Sequence, residues 1–204
     1  MSWVLFDYGG VICYPQPAQD VERLAAAARC SVTEFKAAYW PYRLDYDRAT
    51  LDMTAYWQRV AADLGQVFTD EQIQELSRLD IASWLHLQSD TVALIEDLAA
   101  AGHELAILSN APADVAEGVS ALRLASHFRR LVFSCFLKSA KPDPECFSAT
   151  LNLLGAQPQD VTFLDDRPEN VAGGIRMGLR CLRFTSADGA RAELARLGIK
   201  ASTR

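Results

Sequence analysis

The sequence contains no pair of cysteines in the C-x-x-C arrangement, although it has five cysteines among its 204 residues. An odd number of scattered cysteines suggests neither a disulfide framework nor a zinc site. We therefore expect reduced cysteines that mostly pack in the interior, at Cys13, Cys30, Cys135, Cys146 and Cys181.

Long hydrophobic runs are also missing. No segment approaches the roughly 18 consecutive apolar residues of a membrane span. The N-terminal segment lacks a basic region followed by an apolar stretch of about 7 to 15 residues, which is the pattern of a signal peptide. The sequence therefore predicts no membrane association, and we expect a cytoplasmic protein.

Positive charge is scarce. Twenty Lys and Arg residues stand against 26 Asp and Glu residues, which gives a net charge of −6. No cluster of basic residues with interleaved aromatic residues offsets this balance, so a nucleic-acid surface is disfavoured. Half of the residues are hydrophobic, which argues against disorder. We expect a globular monomer or homodimer with a small-molecule ligand.

Short apolar runs alternate with helical stretches along the chain. Continuous runs of this length, with helices between most of them, are typical of a parallel sheet covered on both faces. We therefore predict an α/β fold with a Rossmann-like, doubly wound parallel sheet. Its strands are expected at Trp3–Phe6, Glu104–Ser109, Leu131–Ser134, Val161–Leu164 and Cys181–Phe184.

One interval interrupts this alternation. Roughly 70 residues after the first strand contain no strand-like run, far more than an ordinary connection, and they read as helices with a break at Pro41 and a capping box from Thr69 to Gln72. We predict an inserted α-helical cap at residues 15–87 and a core formed by residues 1–14 and 88–204. The first core helix is expected to have Ser89 or Asp90 as its N-cap. Buried anchors of the cap are predicted at Trp40, Trp57 and Trp84.

Polar residues follow most of the predicted strands. In open parallel sheets ligands bind beyond the carboxyl ends of the strands. Each such residue alone is commonly a turn or helix cap, but the ordered set is harder to explain in that way. The set consists of Asp7, Ser109, Asn110, Lys141, Asp165 and Asp166.

The residue types of this set predict a phosphate site. Three carboxylates around one crevice repel each other unless a cation is bound or one acid holds a proton, and carboxylate oxygens suit Mg²⁺. Lys141 adds positive charge, and Ser109 with Asn110 offers hydrogen-bond donors. We therefore predict phosphate chemistry through an aspartyl-phosphate intermediate with Asp7 as the nucleophile.

These motifs resemble those of haloacid dehalogenase superfamily hydrolases with a helical cap. The segment FDYGGV is similar to the first motif, D-x-D-x-[TV], ILSN to the second, KPDP to the third and FLDDRPENVAGG to the fourth. The resemblance implies that Asp7 is the nucleophile and that Ser109 and Lys141 hold the transferred phosphoryl group.

The resemblance also implies a Mg²⁺ cofactor. Its ligands would be Asp7, the backbone carbonyl of Gly9 and Asp166, with Asp165 either ligating or supporting the ion. The phosphatases of this family have an acid/base aspartate two residues after the nucleophile, where this chain has Gly9. The D-x-G-[GN]-V form resembles a subgroup that includes α-glucose-1-phosphate phosphatases, so we expect a Mg-dependent phosphatase acting on a small phosphorylated metabolite such as a sugar phosphate.

Two alternatives remain open. A 2-haloacid dehalogenase attacks carbon without a metal, but its motif resembles D-x-Y-G-T, whereas Tyr8 directly follows Asp7 here. A non-catalytic member that binds phosphate or a partner would explain Gly9.

Residues elsewhere receive simpler interpretations. His86, His103 and His127 show no ligand spacing and are interpreted as surface or helix-end residues. Asp45 and Asp47 are interpreted as solvated cap residues. If they instead face the site, they are the first candidates for a substitute acid.

Overall fold

A five-stranded parallel sheet forms the centre of the computed structural model, which describes residues 2–202. The strands are β1 (Trp3–Phe6), β2 (Glu104–Ser109), β3 (Arg130–Phe133), β4 (Val161–Asp165) and β5 (Arg180–Arg183). Their order across the sheet is β3-β2-β1-β4-β5, and all pairs are parallel. The predicted α/β fold class is confirmed.

The central strand β1 is apolar because both of its faces are covered. Its side chains alternate between two apolar clusters, with Val4 and Phe6 on one face and Trp3 and Leu5 on the other. All four are buried, as expected for a strand that lies between two layers of helices.

Six helices surround the sheet within the described part of the core sequence. They are α6 (Ser89–Ala100), α7 (Ala113–Ser120), α8 (Ser134–Leu137), α9 (Pro144–Leu154), α10 (Pro168–Arg176) and α11 (Ala187–Arg196). The predicted N-cap of α6 is wrong: the N-cap is Gln88, and no side chain caps the helix. Gln88 instead donates its side-chain amide to the carbonyls of Gly10 and Cys13 at 3.1 Å, which fixes the loop after β1.

Five helices occupy the interval between β1 and α6. They are α1 (Ala18–Ala27), α2 (Val32–Tyr39), α3 (Arg43–Asp47), α4 (Met53–Asp63) and α5 (Asp70–Ser83). These helices share their own apolar cluster. The predicted break near Pro41 and the capping box of Thr69 and Gln72 are confirmed. We propose that residues 15–87 are the inserted cap and that residues 1–14 and 88–204 are the core.

The tryptophans differ in burial. Trp57 is fully buried against Tyr56, whereas Trp84 is partly buried. The prediction is wrong for Trp40, which is 50% exposed. It follows the last residue of α2, and its ring centroid lies 4.9 Å from that of Tyr39.

All five cysteines are free, as predicted, and Cys13, Cys135 and Cys146 are buried. Among residues 2–202, no helix combines the length and the apolar character needed to cross a membrane.

Candidate functional site

A cavity of about 490 Å³ lies between the carboxyl ends of the central strands and the cap. The register of the sheet places two of the acids next to each other: Phe6 pairs with Leu164, so the next residues, Asp7 and Asp165, lie side by side. The cavity is lined by most of the residues predicted for the site, namely Asp7, Gly9, Ser109, Asn110, Lys141 and Asp166. Asp165 lies behind this wall, in contact with Lys141.

A buried lysine joins two of the acids. The Nζ atom of Lys141 lies 2.6 Å from Oδ1 of Asp7 and 2.7 Å from Oδ2 of Asp165. Burial alone would lower the pKa of Lys141, but the two carboxylates outweigh burial and raise it. The lysine is therefore charged.

Asp7 is held in place from two sides. Its Oδ1 also accepts a hydrogen bond from the backbone N–H of Tyr8 at 2.7 Å. Burial raises the pKa of Asp7 to about 7, with a further rise from Asp165, while Lys141 opposes the change. Within residues 2–202, no hydrogen bond is donated to Oδ2 of Asp7, so this oxygen remains open to a ligand.

Both oxygens of Asp165 are occupied by protein donors. Oδ1 accepts from the backbone N–H of Arg167 at 2.8 Å, and Asn170 donates to both oxygens at 3.1 Å. With Lys141 on Oδ2, the carboxylate has no free position of the kind a metal ion needs. Asn170 was missed by the sequence analysis. Its signal was a polar residue in the first turn of the helix that follows the two aspartates.

Asp166 differs from Asp165 in having an unpaired oxygen. Its Oδ1 is buried and has no hydrogen-bond partner among the described residues. Burial raises the pKa of Asp166, and the nearby Asp165 raises it further. A buried carboxylate oxygen without a partner is unfavourable unless a cation or proton satisfies it.

The oxygen atoms of the acids at this end of the sheet fit a hard divalent cation. One carboxylate oxygen from each of Asp7, Asp165 and Asp166 lies within 4.8 Å of the others. Asp7 and Asp166 both keep an open oxygen, and the Gly9 carbonyl accepts no hydrogen bond from the residues described. Carboxylate and carbonyl oxygens of this kind suit Mg²⁺.

Gly10 allows this arrangement. Its φ is +78°, and a Cβ atom there would lie 2.5 Å from Oδ2 of Asp166. Only glycine combines this backbone conformation with such a close approach.

Ser109 and Asn110 have different surroundings. Ser109 is buried but lines the cavity, and its hydroxyl makes no hydrogen bond within the described part of the chain. Asn110 uses its side-chain amide on the backbone of Lys141, with both hydrogen bonds at 2.9 Å. The Asn110 side chain thus positions the lysine, whereas the Ser109 hydroxyl is available to a ligand.

The cap adds charged residues to the cavity wall. Arg43 donates to Asp47 at 2.9 Å and to Asp80 at 2.8 Å, and it also contacts the Tyr39 hydroxyl. The interpretation of Asp47 as solvated is wrong, because it is buried and lines the cavity. Asp45 is exposed, as predicted.

The histidines lie apart from the cavity, since none of the three lines it. His86 is exposed and contacts Asp20 of the cap, while His103 and His127 are partly exposed.

Comparison with known proteins identifies the family of this chain. A family model described as haloacid dehalogenase-like hydrolase matches residues 1–178. The flavin mononucleotide hydrolase 1 of Arabidopsis thaliana is 35% identical over 109 residues, which cover 53% of this chain and 44% of that protein. The (S)-2-haloacid dehalogenase 4A of Burkholderia cepacia is 32% identical over 99 residues, which cover 47% and 42% of the two chains. The chain thus matches less than half the length of either relative.

A solved structure shows the same fold. The HAD family enzyme bt-2542 of Bacteroides thetaiotaomicron, in its magnesium complex, superposes with a TM-score of 0.76 at 18% identity. The match covers 96% of this chain and 98% of that one. From the family match over most of its length, this chain belongs to the haloacid dehalogenase-like hydrolases.

Proposed function

We propose that this hydrolase is a Mg²⁺-dependent phosphatase that acts on a small phosphorylated metabolite. The main support is the buried, unpaired Oδ1 of Asp166 in the cavity that Asp7 also lines. A phosphatase of this type needs a cation next to its nucleophile, and a carboxylate oxygen without a protein partner suits that need.

The carboxylates with an open oxygen are the proposed metal ligands, and the carboxylate without one supports Lys141. Asp7, Asp166 and the Gly9 carbonyl would hold the ion, whereas Asp165 uses both oxygens on protein donors and so holds Lys141. When bound, Mg²⁺ would offset the negative charge of the carboxylates and of the phosphate.

The protein groups have distinct parts in the proposed reaction. The Asp7 carboxylate attacks phosphorus, the bond to the leaving oxygen breaks, and water later hydrolyses the aspartyl phosphate. The Ser109 hydroxyl donates to a phosphoryl oxygen. Two carboxylates occupy two of the three N–H donors of Lys141, so the third can donate to the phosphoryl group as well.

Two substrate classes have specific support. The D-x-G-G-V form of the first motif favours a sugar phosphate, and the cavity of about 490 Å³ is large enough for a small metabolite. Trp40, which is half-exposed, and Trp84 both line the cavity, and their rings favour a phosphate ester that carries a planar ring. The flavin mononucleotide hydrolase relative supports this second class.

The dehalogenase alternative has a sequence relative in its favour. The dehalogenase reaction does not explain the unpaired oxygen of Asp166, because that reaction needs no metal. A non-catalytic binding protein would keep the same cavity but would show no turnover.

One set of assays separates these functions. The purified protein is incubated with p-nitrophenyl phosphate, with Mg²⁺ or with EDTA, and with 2-chloropropionate while chloride release is measured. The proposal expects phosphate release that requires Mg²⁺ and no chloride release. Chloride release without metal would support the dehalogenase, and phosphate binding without turnover would support the non-catalytic protein. A screen of sugar phosphates and ring-bearing phosphate esters would then compare kcat/KM.

A further inference from the structure

The first motif leaves the proposed phosphatase without an assigned proton donor. An aspartate at position 9 would lie two residues after Asp7, but Gly9 has no side chain. The departing oxygen of an alkyl phosphate gathers negative charge, and a positioned acid typically contributes about 10²–10⁴-fold to such a step. The other acidic side chains of the cavity wall are therefore worth comparing.

Among residues 2–202, three acids besides Asp7 line the cavity: Asp47, Asp166 and Glu169. Asp166 belongs to the proposed metal site. Glu169 is exposed and pairs with Arg167, and its own backbone N–H lowers its pKa, so it is ionised. The tyrosine hydroxyl in the wall, that of Tyr8, donates to the Trp84 carbonyl at 2.8 Å, and burial raises its pKa. Asp47 remains.

We propose that Asp47, on cap helix α3, is the general acid that protonates the leaving oxygen and the general base that activates water. This inference rests on the proposed phosphatase function. It places the missing carboxylate on a cap helix that lines the same cavity as Asp7.

The backbone of Asp47 is fixed to the core beside the phosphate-binding residues. The Ser134 hydroxyl donates to the Asp47 carbonyl at 2.5 Å and accepts from the backbone N–H of Ala111 at 3.0 Å. Ala111 directly follows Ser109 and Asn110. The residue after Asp47, Arg48, forms an ion pair of 2.5 Å with Asp143, which lies two residues after Lys141.

The carboxyl group of Asp47 has one oxygen to spare. Oδ1 accepts from Nε of Arg43 at 2.9 Å, whereas Oδ2 accepts no hydrogen bond from the residues that the structure describes. Because the side chain lines the cavity, we assign the proton transfer to Oδ2. Arg43 holds the other oxygen and so fixes the orientation of the carboxyl group.

The surroundings raise the pKa of Asp47 above that of an ordinary aspartic acid. Burial raises the pKa of Asp47, and the carboxylates of Asp80 and Asp114 raise it further, while Arg43 opposes the rise. Cys135 of α8 and Tyr56 of α4 also interact with Asp47 from the packed helices. Both are neutral, because burial raises the pKa of each. Asp47 therefore keeps its proton to a higher pH than an ordinary aspartic acid.

The proposed reaction has two steps, and Asp47 exchanges a proton in each. In the first step an Asp7 oxygen bonds to phosphorus, the bond from phosphorus to the leaving oxygen breaks, and the Asp47 proton moves to that oxygen. The products are a neutral alcohol, the aspartyl phosphate and ionised Asp47. In the second step water attacks phosphorus, its proton moves to Asp47, and the bond from phosphorus to Asp7 breaks.

The test compares Asp47→Asn with Asp45→Asn, a control on the exposed side of the same helix, by pre-steady-state kinetics with Mg²⁺. We expect Asp47→Asn to slow phosphorylation by an alkyl phosphate by about 10²–10⁴-fold. With p-nitrophenyl phosphate, whose leaving group needs little protonation, we expect a burst of p-nitrophenol followed by slow turnover. Asp45→Asn should match the wild type on both substrates.

A rescue experiment separates chemistry from structure. Gly9→Asp should restore alkyl phosphorylation to Asp47→Asn, because it returns a carboxylate to the usual position of the family. The proposal would be overturned if folded Asp47→Asn lost the same factor in phosphorylation rate on both substrates, gave no burst and was not rescued by Gly9→Asp. Asp47 would then serve only to hold Arg43 through their ion pair.

The wild-type pH profile gives a second test that does not depend on folding of the variant. Phosphorylation by the alkyl phosphate should decline as pH rises through the pKa of Asp47, with no matching decline for p-nitrophenyl phosphate. Identical profiles would overturn the proposal. No hydrolysis of any phosphate ester by the wild type would instead refute the phosphatase function itself.

Discussion

Asp165 and Asp166 are adjacent in sequence but have opposite surroundings. Both oxygens of Asp165 are occupied by Lys141, Asn170 and the Arg167 N–H, whereas Oδ1 of Asp166 is buried without a partner. The first acid is thus suited to hold the lysine and the second to hold the cation.

This difference predicts separate effects for two matched variants. Asp166→Asn should weaken Mg²⁺ binding strongly, because it removes the charge of a direct ligand. Asp165→Asn should retain most of the Mg²⁺ affinity but lose stability, by about 3 kcal/mol, because it breaks a buried ion pair. Titration calorimetry and denaturant unfolding measure the two effects. Loss of Mg²⁺ affinity in Asp165→Asn alone would exchange the two roles.

Adjacent glycines should also respond differently to alanine. The φ of Gly9 lies outside the left-handed region, and a Cβ there would lie at an ordinary 3.6 Å from the Trp84 ring. Gly10 has a φ of +78° and no room beside Asp166. We expect Gly9→Ala to fold and bind Mg²⁺ like the wild type, and Gly10→Ala to lose stability and Mg²⁺ affinity. Equal Mg²⁺ affinities for the two variants, in titration calorimetry, would place the ion away from Asp166.

Two cap tryptophans offer a test of the ring-bearing substrate class. Trp57 is fully buried and Trp40 is 50% exposed in the cavity wall. Trp57→Ala should cost about 3–5 kcal/mol of unfolding free energy. Trp40→Ala should change stability little but raise KM for a ring-bearing phosphate more than for a sugar phosphate. An unchanged ratio of the two KM values would remove the support for a ring.

The fold was predictable because its signals are local. The continuous apolar runs at β1 and β2 and the long strand-free interval are visible in the sequence, and strands β1 and β2 begin and end where predicted. The ends of β3, β4 and β5 differ by about one residue, since neighbouring turns decide where pairing stops. The order of the strands depends on contacts between distant segments, and the sequence analysis did not predict it.

The site was predictable only in part. Residues at strand ends, such as Asp7 and Asp166, follow from the topology of a parallel sheet. The positions of Asp47 and Trp40 depend on how the cap helices pack over the core, which no local pattern reveals. For this reason the sequence led to two wrong interpretations: Asp47 is buried and not solvated, and Trp40 is half-exposed and not buried.

The central claim is that Asp7 becomes phosphorylated in a reaction that needs Mg²⁺. Its most direct test is the kcat of Asp7→Asn against that of the wild type, with p-nitrophenyl phosphate and saturating Mg²⁺, and with circular dichroism as the check on folding. Asparagine removes the charge of the attacking oxygen, so turnover should vanish while the fold persists. A kcat above one tenth of the wild-type value, a loss of less than about 1.4 kcal/mol, would contradict the assignment of Asp7 as the nucleophile.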